Sequence, residues 1–352
     1  MNRRALLALL AAAASRPATG TSAPRPSTAP RIIDETWRDA RRSRELPLRI
    51  RVPAAASEAL QPLVLFSHGL GGSRTGGAAW GEHWAARGYL VIHLQHPGSD
   101  ESLWRDQAAF TDREPRATRA TRLLAGASVE QALARLADVR FVLDELARRR
   151  RTATPDDWVR HADLTRVAMS GHSFGARTTM ALAGERFPVD LGGGADPRLG
   201  AFVAFSPAVP TGPLAPRSES ALRERFAGIT RPFLAITGRR DGDVLGNGAT
   251  AENRARVFDL LPEGGKYLAN FELGDHAVFG GGPPREQVWL RAMGASAAVG
   301  TPPEAWAPIQ AAVARISTAF LDAHLREDAD ARRWLAGDAA TRLGVALDWR
   351  VK

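Results

Sequence analysis

Short apolar runs alternate with longer amphipathic stretches along this chain. Pro47–Val52, Pro62–Phe66, Tyr89–Leu94, Leu164–Met169, Ala201–Phe205, Pro232–Thr237 and Tyr267–Leu273 each have the length and the Val, Leu and aromatic content of a buried strand. Helical spacing appears between them. Ala78–Arg87 sets Trp80 and Trp84 one turn apart, and Val129–Arg150 lines up Leu133, Leu136, Val139, Val142 and Leu143. Ala176–Phe187 carries Met180, Ala183 and Phe187, and Asn253–Leu261 and Pro308–Arg326 read as further helices. Such alternation predicts an α/β chain with a mainly parallel central sheet and helices on both faces. There is no internal repeat. Two stretches interrupt the rhythm: Pro97–Gly126, with Trp104 and Phe110, after the strand Tyr89–Leu94, and Phe187–Leu199, with Gly192-Gly193-Gly194, after the helix Ala176–Phe187. They are expected as small insertions over the carboxyl ends of the strands, where open sheets of this kind bind ligands.

The run Leu164–Met169 leads into Gly171-His172-Ser173-Phe174-Gly175 and then into a helical pattern. A strand, G-x-S-x-G and a helix in that order form a nucleophile elbow, which predicts the α/β-hydrolase fold with Ser173 exposed at a strained turn. The glycines are needed because a Cβ at either place would strike its neighbours. Upstream, Pro62–Phe66 is followed by Ser67-His68-Gly69-Leu70-Gly71-Gly72. The loop after that strand and the residue after the nucleophile each give one backbone N–H to an oxyanion hole, here Leu70 and Phe174.

Chain order in this fold is Ser, acid, His. Only His276 and His324 lie downstream of Ser173, and His324 falls mid-helix, so His276 is the expected base. Ser206–Ser218, after Ala201–Phe205, holds no Asp or Glu. The acid is therefore expected after Pro232–Thr237, in Gly238-Arg239-Arg240-Asp241-Gly242-Asp243, with Asp241 favoured over Asp243 by its spacing from Gly238. His96, Asp100 and Trp104 follow Tyr89–Leu94 and are candidate substrate contacts. His68 and His172 flank the two turns and are expected to hold them by hydrogen bonds. No His/Asp/Glu set has metal-ligand spacing and no phosphate- or dinucleotide-binding glycine motif occurs, so neither metal nor cofactor is expected.

Phe66-Ser67-His68-Gly69-Leu70-Gly71 and Gly171-His172-Ser173-Phe174-Gly175 resemble the bacterial relatives of platelet-activating-factor acetylhydrolase. Tyr89 through His96-Pro97-Gly98-Ser99-Asp100, and Lys266-Tyr267-Leu268 through Asp275-His276, resemble the dienelactone-hydrolase branch of the α/β-hydrolases. The resemblance spans about Arg44–Gly282 and implies ester hydrolysis by a Ser-Asp-His triad. Two departures bear on substrate. The acetylhydrolase pattern puts its acid where this chain has Ser206, and dienelactone hydrolases use a cysteine, which this chain lacks. Secreted polyester hydrolases combine a serine with an acid placed as Asp241 is, so polyester, lactone and amide bonds stay open beside simple esters. A non-catalytic binding protein on the same fold is the rival reading, and the full Ser, Asp and His complement argues against it.

Composition adds a compartment. Asn2-Arg3-Arg4, the apolar Ala5–Ala14 and the small residues after them read as an export signal at residues 1–22, too short for a permanent membrane span. Residues 23–30 are a Pro/Ala-rich linker, and 31–352 are expected as a single domain, long enough to build a core without disulfides. An exported, periplasmic or extracellular protein results. Net charge is +9, nearly all of it Arg, with Lys only at 266 and 352. The basic residues are spread, without interleaved aromatics, so no nucleic-acid partner is expected. The expected partner is a small-molecule or lipid-like ester, and the sequence leaves the oligomeric state open.

Overall fold

The alternating runs become strands whose successive side chains face opposite ways, as a pleated sheet requires. The computed structural model describes residues 29–54, 59–105, 121, 124–187, 194–211, 215–216, 218–244, 248–283, 300–337 and 342–352. Among them nine strands form one sheet: β1 (Arg31–Asp39), β2 (Arg44–Val52), β3 (Gln61–Ser67), β4 (Leu90–Leu94), β5 (Ala162–His172), β6 (Leu199–Phe205), β7 (Phe233–Arg240), β8 (Lys266–Asp275) and β9 (Leu347–Val351). The order is β1-β2-β4-β3-β5-β6-β7-β8-β9. β4 through β8 run parallel, and β1, β2 and β9 add antiparallel pairings at the two ends.

Each parallel strand is buried on both faces and splits its side chains between two cores. Leu63 and Leu65 of β3 join one core, while Val64 and Phe66 join the other. The first core is closed by α3 (Val129–Thr152), α4 (Phe174–Ala183), α5 (Glu219–Phe226) and α6 (Ala251–Leu260). The second is closed by α1 (Ala78–Ala86) and α7 (Pro303–Leu325), with α8 (Ala329–Gly337) behind. The Trp84 indole N–H donates to Ser317 Oγ at 3.0 Å and ties α1 to α7. A short helix, α2 (Ser102–Arg105), follows β4.

Several boundaries differ from the pattern-based expectation, each for a local reason. α4 stops at Ala183 rather than Phe187 because Gly184 adopts φ 118° and its α-face meets the Gly228 carbonyl oxygen, 2.3 Å from where a Cβ would sit. α7 begins at Pro303, five residues before the expected Pro308, because Pro303 takes the first helical position, where a proline's missing N–H costs nothing, and Pro308 lies inside the helix. β1 and β9 lie at the sheet ends and are only partly buried, and the residues that β1 turns inward include Glu35 and Asp39, so its sequence shows no apolar alternation. Residues 1–28, with the expected export signal and most of the linker, lie outside the described residues, as do Phe110, Gly192 and Gly193 of the two insertions.

Candidate active site

β5 delivers the elbow. Ser173 has φ 57° and ψ −112°, a conformation side chains rarely adopt, held by its N–H bond to Phe205 O at 2.9 Å. The turn is closed so tightly that a Cβ on Gly175 would lie 1.9 Å from Ser67 O, and one on Gly171 would lie 2.4 Å from Gly175 O. Backbone against backbone leaves no side chain to yield. Gly175→Ala is expected to cost about 3 kcal/mol of stability, read as a lowered urea midpoint at unchanged slope. A wild-type midpoint would show that the start of α4 and the end of β3 do not approach so closely.

His276 and Asp241 come from the same edge of the sheet. Asp241 follows β7 and His276 follows β8, and the two strands are drawn together where Gly238 packs on Gly274 O, 2.2 Å from its missing Cβ. His276 Nδ1 lies 2.8 Å from Asp241 Oδ1, and Nε2 lies 3.0 Å from Ser173 Oγ. A carboxylate only accepts, so Nδ1 carries the hydrogen and Nε2 is left to accept from the serine hydroxyl. Asp241 is fully buried. Burial raises its pKa, but the Arg254 guanidinium, 2.9 Å away, and His276 outweigh this and hold the carboxyl below its usual range. Thr237 Oγ1 donates to the second carboxylate oxygen at 2.9 Å.

The other acids nearby are turned to structural work. Asp243 accepts from the Gly248 N–H at 2.5 Å, within its own loop. Asp275, next to His276 in sequence, accepts from Val278 N–H and Thr301 N–H, both at 3.0 Å. So the structure brings Asp241, and not Asp243, against the imidazole.

The glycine loop after β3 lies beside the serine: a Cβ on Gly69 would sit 3.5 Å from Ser173 Cβ. Leu70 N–H donates to no protein acceptor among the described residues. Phe174 N–H stands at the first position of α4, where a helix leaves its amides unpaired. His172 does hold the site, as expected of it. Its Nε2–H donates to the His276 carbonyl at 3.0 Å, with the rings 4.7 Å apart, and burial together with the neighbouring imidazole pushes its pKa down to about 3.

Two of the candidate substrate contacts need correction. His96 is fully buried, with Nε2 2.8 Å from Ser67 Oγ and Nδ1 2.9 Å from Asp138 Oδ2, so both ring nitrogens are committed behind the loop. Asp100 is buried too, accepting from Gln95 Nε2 at 2.7 Å and Ser102 Oγ at 2.6 Å. Both brace the glycine loop, which pairs with this segment through Gly71 N–H to Ser99 O at 3.0 Å. Trp104 remains partly exposed, with its indole N–H donated to Gly71 O at 2.7 Å.

Sequence reasoning passed over Asp138, Arg135 and Arg254. The first two had a readable signal. Positions 135, 138, 142 and 146 recur at helical spacing, so two charges stand in the same stripe as Val142 and Leu146. Charges on a buried stripe must find partners. Asp138 finds Arg42, Arg44 and His96, each at 2.8–2.9 Å. Arg254 lies in a helix whose buried side was not predicted to face the acid, and nothing in the sequence marks it. Among the described residues no cluster of His, Asp and Glu could hold a metal ion, and no helix is long and apolar enough to cross a membrane.

Comparison with known proteins agrees with this architecture. The family model described as platelet-activating factor acetylhydrolase, isoform II, matches residues 42–121, under a quarter of the chain and including the glycine loop. A ferulic acid esterase from Streptomyces cinnamoneus superposes with a TM-score of 0.50 at 19% identity, over 85% of this chain and 90% of its own. No curated protein matches by sequence. The chain has the α/β-hydrolase fold.

Proposed function

We propose that this α/β-hydrolase is a serine hydrolase of carboxylic esters, with Ser173, His276 and Asp241 as its catalytic triad. The observation that carries the proposal is the unbroken relay from Asp241 Oδ1 through His276 to Ser173 Oγ, at 2.8 and 3.0 Å. His276 Nε2 takes the hydroxyl proton as Ser173 Oγ attacks the ester carbonyl carbon. Asp241 keeps the imidazole in the working tautomer and stabilises it once charged. The N–H groups of Leu70 and Phe174 receive the oxyanion. His276 then gives the proton to the leaving alkoxide, and an acyl-enzyme forms. Water, deprotonated by His276, attacks that acyl group and frees the acid and Ser173.

The match of residues 42–121 to an acetylhydrolase family supports an ester as substrate. A small or lipid-like ester fits the absence of a basic, aromatic-studded surface in the sequence. The basic and apolar start, Asn2-Arg3-Arg4 followed by Ala5–Ala14, supports export to the periplasm or beyond. A fluorophosphonate probe tests the chemistry, since it phosphonylates only an activated serine. The expected outcome is one label per chain, on the peptide containing Ser173, together with turnover of p-nitrophenyl esters across a panel of acyl lengths. No label and no turnover of any ester would overturn the reading and leave a binding protein on a hydrolase fold.

A further inference from the structure

We infer that Arg135 is a positioning residue for the oxyanion hole: from behind, it fixes and polarises the peptide group that presents Leu70 N–H, and its buried charge has no contacting counter-ion. This rests on the ester-hydrolase reading above. Arg135 projects from α3 and is fully buried. Its Nη1 donates to His68 O at 2.6 Å and its Nε to Ser99 Oγ at 2.9 Å. Its Nη2 reaches Ser99 O at 3.2 Å and Gly69 O at 3.5 Å. Its Cζ stands 4.3 Å from the centre of the Phe174 ring. One planar fork therefore grips the loop that carries Leu70 and packs on the residue that carries the second N–H.

Gly69 O matters because Gly69 C=O and Leu70 N–H belong to one planar trans peptide group and point in opposite directions. Fixing the oxygen fixes where the hydrogen aims. Three donors converge on that oxygen. Gly72 N–H lies at 3.1 Å and Arg135 at 3.5 Å. His68 Nδ1 lies at 2.6 Å, and its other nitrogen accepts from His96 N–H at 3.0 Å, so Nδ1 must carry the hydrogen. Donors on a carbonyl strengthen the N–H of the same peptide group.

The charge is unusual in its company. Buried cations are normally paired with carboxylates. The oxygens of Asp138 are taken by Arg42, Arg44 and His96, and those of Asp100 by Gln95 and Ser102. Arg135 contacts only neutral groups: the oxygens of Ser67, His68, Gly69 and Ser99, the His68 ring and the Phe174 ring. Burial pulls its pKa down to about 9, against the through-space pull of Asp138 and Asp100, so it stays charged at neutral pH. The tetrahedral oxyanion, on the Leu70 N–H side of that peptide group, adds a negative charge that this buried cation stabilises through space. Such stabilisation is specific to the transition state and belongs in kcat rather than KM.

Two variants test this: Arg135→Gln removes the charge at comparable length, and Arg135→Lys keeps it but loses the fork. On each, the rate of Ser173 phosphonylation by a fluorophosphonate is measured, with kcat and KM for p-nitrophenyl acetate and the melting temperature as a check of folding. The labelling rate and kcat are expected to fall about ten-fold or more in Arg135→Gln with KM within about three-fold, and Arg135→Lys is expected to lie between. A folded Arg135→Gln protein that labels and turns over at the wild-type rate overturns the inference, and so does a loss confined to KM. If Arg135→Gln does not fold, Arg135→Lys decides. A kcat loss of about three-fold or more at unchanged KM then supports the inference, and wild-type kcat overturns it. A wild-type protein that neither labels nor hydrolyses esters would instead overturn the ester-hydrolase reading itself.

Discussion

Ser173→Ala is expected to lower ester turnover by about 10⁴-fold or more while leaving the fold intact. The size follows from the chemistry. Without Oγ there is no covalent intermediate, and only the oxyanion donors and substrate binding remain to assist water. The fold should survive because what holds the elbow is backbone: Ser173 N–H on Phe205 O, and the close approach of Gly175 to Ser67 O. Alanine carries the same Cβ as serine, so the strain at φ 57° is unchanged. Melting temperature and circular dichroism should match the wild type within error, and phosphonate labelling should vanish. Turnover near the wild-type rate in this variant would remove Ser173 from the mechanism.

The elbow and its neighbours were legible because each is dictated by local chemistry. G-x-S-x-G leaves one position for a nucleophile, and the glycine run after Pro62–Phe66 leaves one loop beside it. The strands were legible where both faces are buried, as at Leu63-Val64-Leu65-Phe66, since adjacent residues serve two different cores. β1 was not, because Arg31–Asp39 at the sheet end buries only Trp37 and Asp39 and so shows little apolar pattern. His96 and Asp100 were placed correctly near the strand ends, yet on the wrong side of the loop. The position of His96 follows from a long-range partner, Asp138 on α3, which no local rule announces, while Asp100 turns to its near neighbours Gln95 and Ser102. Arg254 shows the same limit, since its partner is thirteen residues away across a loop and a helix start.

Asp241→Asn is expected to cost several powers of ten in turnover, and Asp243→Asn far less. The argument is one of proton placement. In the wild type the Asp241 carboxylate accepts from His276 Nδ1–H at 2.8 Å, which leaves Nε2 free to take the proton of Ser173. An asparagine amide can donate to Nδ1 instead, which moves the ring hydrogen to Nε2 and points it at the serine oxygen. The base is then protonated on the wrong side, a change worth about 10⁴-fold in a serine-protease triad. Loss of the negative charge also removes the stabilisation of the imidazolium formed during attack. Arg254 opposes the wrong tautomer but does not restore the charge. Its Nε contacts Asp241 Oδ1 at 2.9 Å, the same oxygen that accepts from His276 Nδ1–H, so it favours the amide oxygen at that place, and where it does the lost charge alone carries the fall in turnover. Asp243 makes none of these contacts with the imidazole and accepts instead from Gly248 N–H. Its replacement is expected to change turnover by less than about ten-fold, as for a loop residue outside the relay. Both variants are assayed at neutral pH on one ester, with circular dichroism to establish folding. A crippled Asp243→Asn beside an active Asp241→Asn would move the acid by two residues and leave the serine and histidine in place. Wild-type turnover in both would mean that His276 is oriented by its other neighbours, His172 foremost, and that the relay ends at the imidazole.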